Sequence, residues 1–284
     1  MRERISIVIP AHDEASVIQR LLDALLADAN PTELEIVVAC NGCTDATAEI
    51  CRRYDFPLTV VETEVASKIA ALNLGDSQAE TFPRFYLDAD VKVSWAAIKS
   101  VADLLNRGEY LAAAPQMRVD YSRSSWCVRA FYRIWLQLPY HSEGMIGSGL
   151  YAVSEAGRRR FGSFPEIIAD DGYVRSLFGP SERHTLENCS FTITAPTNIR
   201  DLIRVKTRSR LGLWELGKRF PVSRTTESKD WAAAIRRLLF RPKRWLDVLA
   251  YLYITLRVRV RAALKFRRLS GYEWETDQSS RLGG

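Results

Sequence analysis

The sequence predicts an α/β protein built on a mostly parallel sheet with helices covering both faces. Three observations lead there. Short β-branched apolar runs alternate with helix-length segments, polar turn clusters end the runs, and 284 residues at 47% hydrophobic content can bury a large core.

Residues 5–9 read Ile-Ser-Ile-Val-Ile and stop at Pro10, which predicts the first strand. Leu21, Leu22, Leu25 and Leu26 fall on one face of the helix that follows. Residues 34–39 predict a second strand, 44–54 a second helix and 58–61 a third strand. A helix around 69–74 leads to a fourth strand at 85–87, which ends in Asp88-Ala89-Asp90. The alternation then loosens. A helix over 95–105, a strand over 111–114 and an aromatic-rich helix over 125–138 precede the glycine-rich stretch 144–149. Strands over 150–153 and 191–195 flank Asp170-Asp171. Past Pro196 the chain reads as helical and basic, so a domain over 1–200, with halves of about 1–95 and 96–200, is expected to carry a helical extension over 201–284.

Charge divides the chain the same way. Residues 1–199 hold 19 basic and 26 acidic side chains, a balance of −7; residues 200–284 hold 21 and 8, a balance of +13. A basic tail suits phosphate-rich material: nucleic acid, anionic lipid or a phosphorylated substrate. No run reaches the ~18 apolar residues of a membrane helix. Five cysteines, an odd number, and no signal-like start point to a reducing cytoplasm. Cys40-x-x-Cys43 finds no second pair and few histidines, so it reads as coincidence.

On sheets of this kind ligands sit at the carboxyl ends of the strands, where the polar clusters fall. Two carboxylates at i and i+2 after a strand can bind Mg²⁺ or Mn²⁺, although a solvated turn has the same pattern. Asn41 offers a side-chain acceptor for a base N–H, Lys68 a cation for phosphates, and Asp90 a hard oxygen ligand.

Four segments in order, ISIVIPAHDE from Ile5, NGCTD from Asn41, KIAALNLG from Lys68 and DAD from Asp88, resemble the inverting glycosyltransferases of family 2, which have the GT-A fold. The resemblance covers roughly 4–215. It implies a nucleotide-diphospho-sugar donor, a divalent metal (Mn²⁺ or Mg²⁺) at Asp90, and donor contacts from Pro10, Ala11, Glu14, Asn41, Lys68, Asn73 and Asp88. It carries the catalytic base to Asp171, with Asp170 and Gly147-Ser148-Gly149 on the acceptor side. A tight turn explains those glycines too, and a helix N-cap would explain either aspartate. Asn41 departs from the family's common aspartate, and His12 from its usual aromatic or Asn. The Gln-x-x-Arg-Trp motif is absent, which argues against a processive polysaccharide synthase. Arg208 and Arg210 stand in that region and can clamp a diphosphate, or form a solvated basic face.

The implied activity is sugar transfer to a hydroxyl in polysaccharide, glycolipid or other glycoconjugate synthesis, on a sugar or lipid-linked acceptor. The alternatives are a non-catalytic nucleotide-sugar-binding relic and a pyrophosphorylase-like enzyme, although the glycine-rich phosphate loop of the latter is missing. Nucleic-acid binding is not expected: cations in the tail interleave with Leu, Val and Tyr over 245–268. That pattern suits either a helix packed on the catalytic domain or one lying on an anionic inner membrane surface.

Overall fold

The computed structural model describes residues 4–138, 144–145, 148–220 and 244–266. One seven-stranded sheet runs in the order β3-β2-β1-β4-β6-β5-β7. Its strands are β1 (Ile5–Ala11), β2 (Leu34–Asn41), β3 (Leu58–Thr63), β4 (Arg84–Leu87), β5 (Ala112–Asp120), β6 (Leu150–Val153) and β7 (Arg183–Thr194). Only β6 runs antiparallel to its neighbours, so the sheet is mostly parallel as expected.

Every residue of β1 is buried, as a central parallel strand covered on both faces requires. Ile5, Ile7 and Ile9 face one core together with Ile18, Leu21, Leu22 and Leu25 of α1 (Ile18–Leu26), Cys51 of α2 (Thr47–Arg52) and Ile98 of α4 (Trp95–Asn106). Val8 and Val37 point the other way, into a core with Ile69 and Leu72 of α3 (Lys68–Gln78). The period of two along the strand thus divides two cores. α3 lies so close to the sheet that a Cβ at Gly75 would stand 2.6 Å from Val8 Cγ1, so only glycine fits there.

Beneath α3, Asp76 holds a buried network. Its carboxylate takes Arg84 at 2.7 Å, the Tyr86 hydroxyl at 2.6 Å and the guanidinium of Arg158 from α6 (Glu155–Arg158). Both arginines are thereby matched to one acceptor, and the carboxyl is held below its ordinary range because those donors outweigh its burial.

A third core forms from α5 (Trp126–Trp135), α8 (Ile199–Arg219) and α9 (Trp245–Phe266). Val128, Phe131, Leu202, Ile254 and Val258 meet there. Arg133 fixes α9 through a two-pronged pair with Asp247, at 2.8 and 2.5 Å. α8 and α9 are therefore joined to α5 by packing. α8 starts at Ile199, capped by Asn198.

Two elements run longer than their sequence suggests. β5 continues to Asp120 and β7 starts at Arg183, because they pair along nine positions across a register shift at Pro115/Gln116. The polar residues Thr185, Asn188 and Ser190 hide β7 from a pattern search.

Candidate active site

Strand ends build the site. β1 ends at Ala11 and β2 at Asn41, and Asn41 Nδ2 donates to the Ala11 carbonyl at 2.9 Å. This holds the amide's donor end against β1 and leaves Asn41, 4% exposed, to present its oxygen end. His12 Nδ1 lies 2.5 Å from the Asn41 carbonyl, so the histidine joins the two loops.

β4 delivers Asp88 and Asp90 on a turn in which the Val91 N–H donates to the Asp88 carbonyl at 3.2 Å. Lys68 is the first residue of α3, whose N-cap Ser67 accepts the Ala70 N–H. Its Nζ reaches Asp88 Oδ1 at 2.8 Å and Asp170 Oδ2 at 3.3 Å. One half-buried lysine thus bridges carboxylates 82 residues apart in sequence. Burial alone would lower the pKa of that amine; the charges of Asp170 and Asp88 overcome it and hold the lysine firmly protonated.

Asp170 and Asp171 open α7 (Asp170–Ser176). Neither is the N-cap, which corrects that alternative. Ala169 holds the cap position without a side-chain bond, and both aspartates sit in the first turn. Asp170 is 5% exposed and takes the Lys68 contact. Asp171, less buried, accepts the Gly172 N–H at 2.7 Å. Burial pushes its carboxyl up, the neighbouring Asp170 charge pushes further, and its pKa stands at about 7.

These groups line one cavity of about 580 Å³. Of the residues expected at the site, Pro10, Glu14, Asn41, Lys68, Asp88, Asp90, Ser148, Gly149, Asp170, Asp171, Arg208 and Arg210 all face it. Gly149 needs to be glycine: its φ is +100°, and a Cβ would lie 2.9 Å from Val91 Cγ2 and 3.4 Å from Asp88 Oδ2. Gly147 lies outside the described residues. Ala11 is buried beneath the loop and contributes its carbonyl. Asn73 does not line the cavity. Its amide clasps the backbone of Phe164, giving at 3.0 Å and taking at 2.7 Å, and so anchors the chain that leads to Asp170.

Sequence reasoning missed much of the far wall. Arg175 stands one turn after Asp171 and faces the same cavity, a spacing of four that could have flagged it. Lys206 sits 3.6 Å above the Trp135 ring and close to Phe131 and Tyr132, and burial lowers its pKa to about 7. Arg210 is lowered by burial and by nearby Arg259 of α9, so cations crowd this wall. An acidic floor thus faces a cationic wall.

Among the described residues, Asp13, Cys43 and Asp45 form the one cluster of three metal-type ligands within reach of each other. Asp13 accepts the Thr44 N–H at 2.7 Å and Asp45 accepts the Ala15 N–H at 3.0 Å, so the cluster clasps two loops. Asp88 and Asp90, carboxylates two residues apart on one turn, have the hard oxygen donors that would suit a divalent ion.

A family model, Glycosyl transferase family 2, matches residues 6–161, more than half of the chain and the whole strand series that carries Asn41, Lys68, Asp88 and Asp90. The chain belongs to this family. Glycosyltransferase AglE of Haloferax volcanii is 34% identical over 91 residues, which is 30% of this chain and 30% of AglE. The chain thus matches under a third of that relative's length. The mannosyltransferase PcManGT of Pyrobaculum calidifontis, solved with GDP-Man and Mn²⁺, superposes with a TM-score of 0.63 at 21% identity, covering 96% of this chain and 77% of that one. Glucosyl-3-phosphoglycerate synthase of Mycobacterium tuberculosis, solved with Mn²⁺, UDP-glucose and phosphoglyceric acid, gives 0.56 at 17% identity over 78% of this chain and 81% of its own. At such identities the likeness establishes the fold, which is GT-A.

Proposed function

We propose that this protein is an inverting glycosyltransferase that moves a sugar from a nucleotide-diphospho-sugar to an acceptor hydroxyl. The observation that carries the reading is the cluster at the strand ends: Lys68 ties Asp88 to Asp170, and Asp171 stands beside them with a pKa of about 7. A base poised near neutrality is ionised often enough to act and basic enough to take a hydroxyl proton. Asp170 is committed to Lys68, which leaves Asp171 for the acceptor.

The remaining groups fall into place around that step. Asn41 offers an acceptor to a base N–H, Lys68 and the Arg208–Arg210 wall supply positive charge to the diphosphate, and Asp88 faces the ribose side. Asp90 would hold a divalent ion, which lends the leaving diphosphate charge stabilisation when bound. The printed ligands of the structural relatives, GDP-Man and UDP-glucose with Mn²⁺, support this class of donor. A sugar or lipid-linked acceptor enters on the side of Ser148, Gly149 and Asp170.

The test is a panel of UDP- and GDP-sugars screened with and without Mn²⁺, followed by NMR of the product's anomeric coupling. Inverted configuration and Mn²⁺-dependent stabilisation by nucleoside diphosphate are expected, and Asp90→Ala should lose the latter. A retained configuration would overturn the single-displacement reading.

A further inference from the structure

α9 has two apolar stripes on opposite sides, and the fold uses only one. Ile254, Val258 and Ala262 are buried against α5 and α8, with Asp247 paired to Arg133 on the same side. The opposite stripe faces solvent. Leu246, Leu249, Leu252, Leu256 and Leu264 are 55–66% exposed, and Trp245, Tyr253 and Val260 are more than half exposed beside them. A folded protein seldom leaves so long a row of leucines uncovered without a partner for it.

The sequence pattern over 245–268 led us to expect this same apolar set either packed on the catalytic domain or turned to a membrane. The structure separates the two: the packing is done by other residues, and the named set points outward.

Charge identifies the partner. At about 100° per residue the exposed stripe spans roughly 120° of the helix, and Arg257 and Arg259 fall about 20° beyond its two edges. Both are exposed. The helix's single acidic residue, Asp247, is buried on the far side and neutralised by Arg133. An apolar band edged by arginines on both sides matches the boundary between acyl chains and anionic headgroups. A second copy of the same face would bring its own Arg257 and Arg259 into the contact and no acidic residue to pair with them. The connecting segment 221–243, with six basic and two acidic residues, has the same sign of charge. No helix among the described residues is long and apolar enough to cross a membrane, so the contact is one of lying on the surface.

We propose that α9 docks the protein on an anionic lipid surface through the Leu246–Leu264 stripe. The opposite side of the same helix brings Tyr251, Thr255 and Val258 to the cavity wall. One helix diameter, about 10 Å, therefore separates the lipid surface from the site. On the proposed transferase reading, which the docking itself does not need, the donor cavity lies beside the membrane.

The experiment is co-sedimentation of the full chain with phosphatidylcholine vesicles with and without phosphatidylglycerol, at low and high salt. Binding to the anionic vesicles, weakened by salt, is expected. Leu249→Glu with Leu256→Glu should reduce it at least about tenfold, and Arg257→Glu severalfold. These side chains are exposed, and circular dichroism would verify that the variants keep the wild-type fold. Indifference to anionic vesicles at low salt would overturn the proposal, as would undiminished binding by the double leucine variant. A lipid-free dimer in sedimentation velocity that the leucine variant dissociates would overturn it too, assigning the stripe to self-association. Because no sugar transfer is measured, a failure here leaves the transferase reading untouched, and the reverse holds.

Discussion

Replacing Asp171 by Asn should cut sugar transfer about 10²-fold or more and stabilise the protein at the same time. The carboxyl's pKa rises from its ordinary 3.8 to about 7 in the folded state, through burial and then the charge of Asp170. Between about pH 4 and 7 the folded form holds more protons at this position than the unfolded chain, so stability falls as pH rises through that window. A shift of that size corresponds to about 4 kcal/mol at the upper limit, and solvent entering the open cavity reduces it to ~2–4 kcal/mol. Asparagine has nearly the same shape and can still accept the Gly172 N–H, but it carries no charge to bury. Urea melts at pH 4 and pH 8 provide the assay. The variant and wild type should agree near pH 4 and diverge by ~2–4 kcal/mol at pH 8, with the variant the more stable. Transfer should fall about 10²-fold or more in the variant, while wild-type kcat/KM rises with pH through about 7. No stability gain at pH 8 would refute the burial argument. A near-normal rate would move the base to Asp170.

Lys68→Met should leave Asp88, Asp170 and Asp171 without their shared cation; nucleoside diphosphate affinity should drop at least about tenfold by calorimetry, and the loss of Tm should be greater at pH 8 than at pH 5, where protonation relieves the repulsion. Asp76→Asn removes the negative charge that neutralises buried Arg84 and partly buried Arg158 and leaves one oxygen for both, a loss of about 3 kcal/mol in urea denaturation with donor affinity per folded molecule retained. In the wild type the depressed pKa of Asp76 means this contribution is present at neutral pH and fades as pH falls through the folded value.

The first half of the fold was legible because β1, β2 and β4 are buried on both faces and read as nearly continuous apolar runs. The residues at its ends are polar against that background, so Asn41, Lys68, Asp88 and Asp90 stand out. Lys68 could be named as a phosphate cation, but its bridge to Asp170 could not, since the contact depends on how α7 returns to β4. β7 was half hidden because its polar residues interrupt the apolar pattern. Asn73 looked like a donor contact by position, yet its amide is taken up by Phe164. The far wall was least legible: Lys206 reads as one cation in a basic run until Trp135, Phe131 and Tyr132 are folded around it.

The placement of charge explains why the carboxylates tolerate each other. Asp88 and Asp170 meet one ammonium with Asp171 beside them, so the cavity floor carries an excess of negative charge, which the half-protonated state of Asp171 reduces near pH 7. On the proposed reading Asp90 would hold a divalent ion, and Arg208 and Arg210 would face the diphosphate, each opposite in sign to the charge already on that wall. Binding would then draw the Asp171 proton off, because the added cation favours the carboxylate. The base would be readied by the donor whose sugar it helps to transfer, and the apparent pKa in kcat should lie below that in kcat/KM.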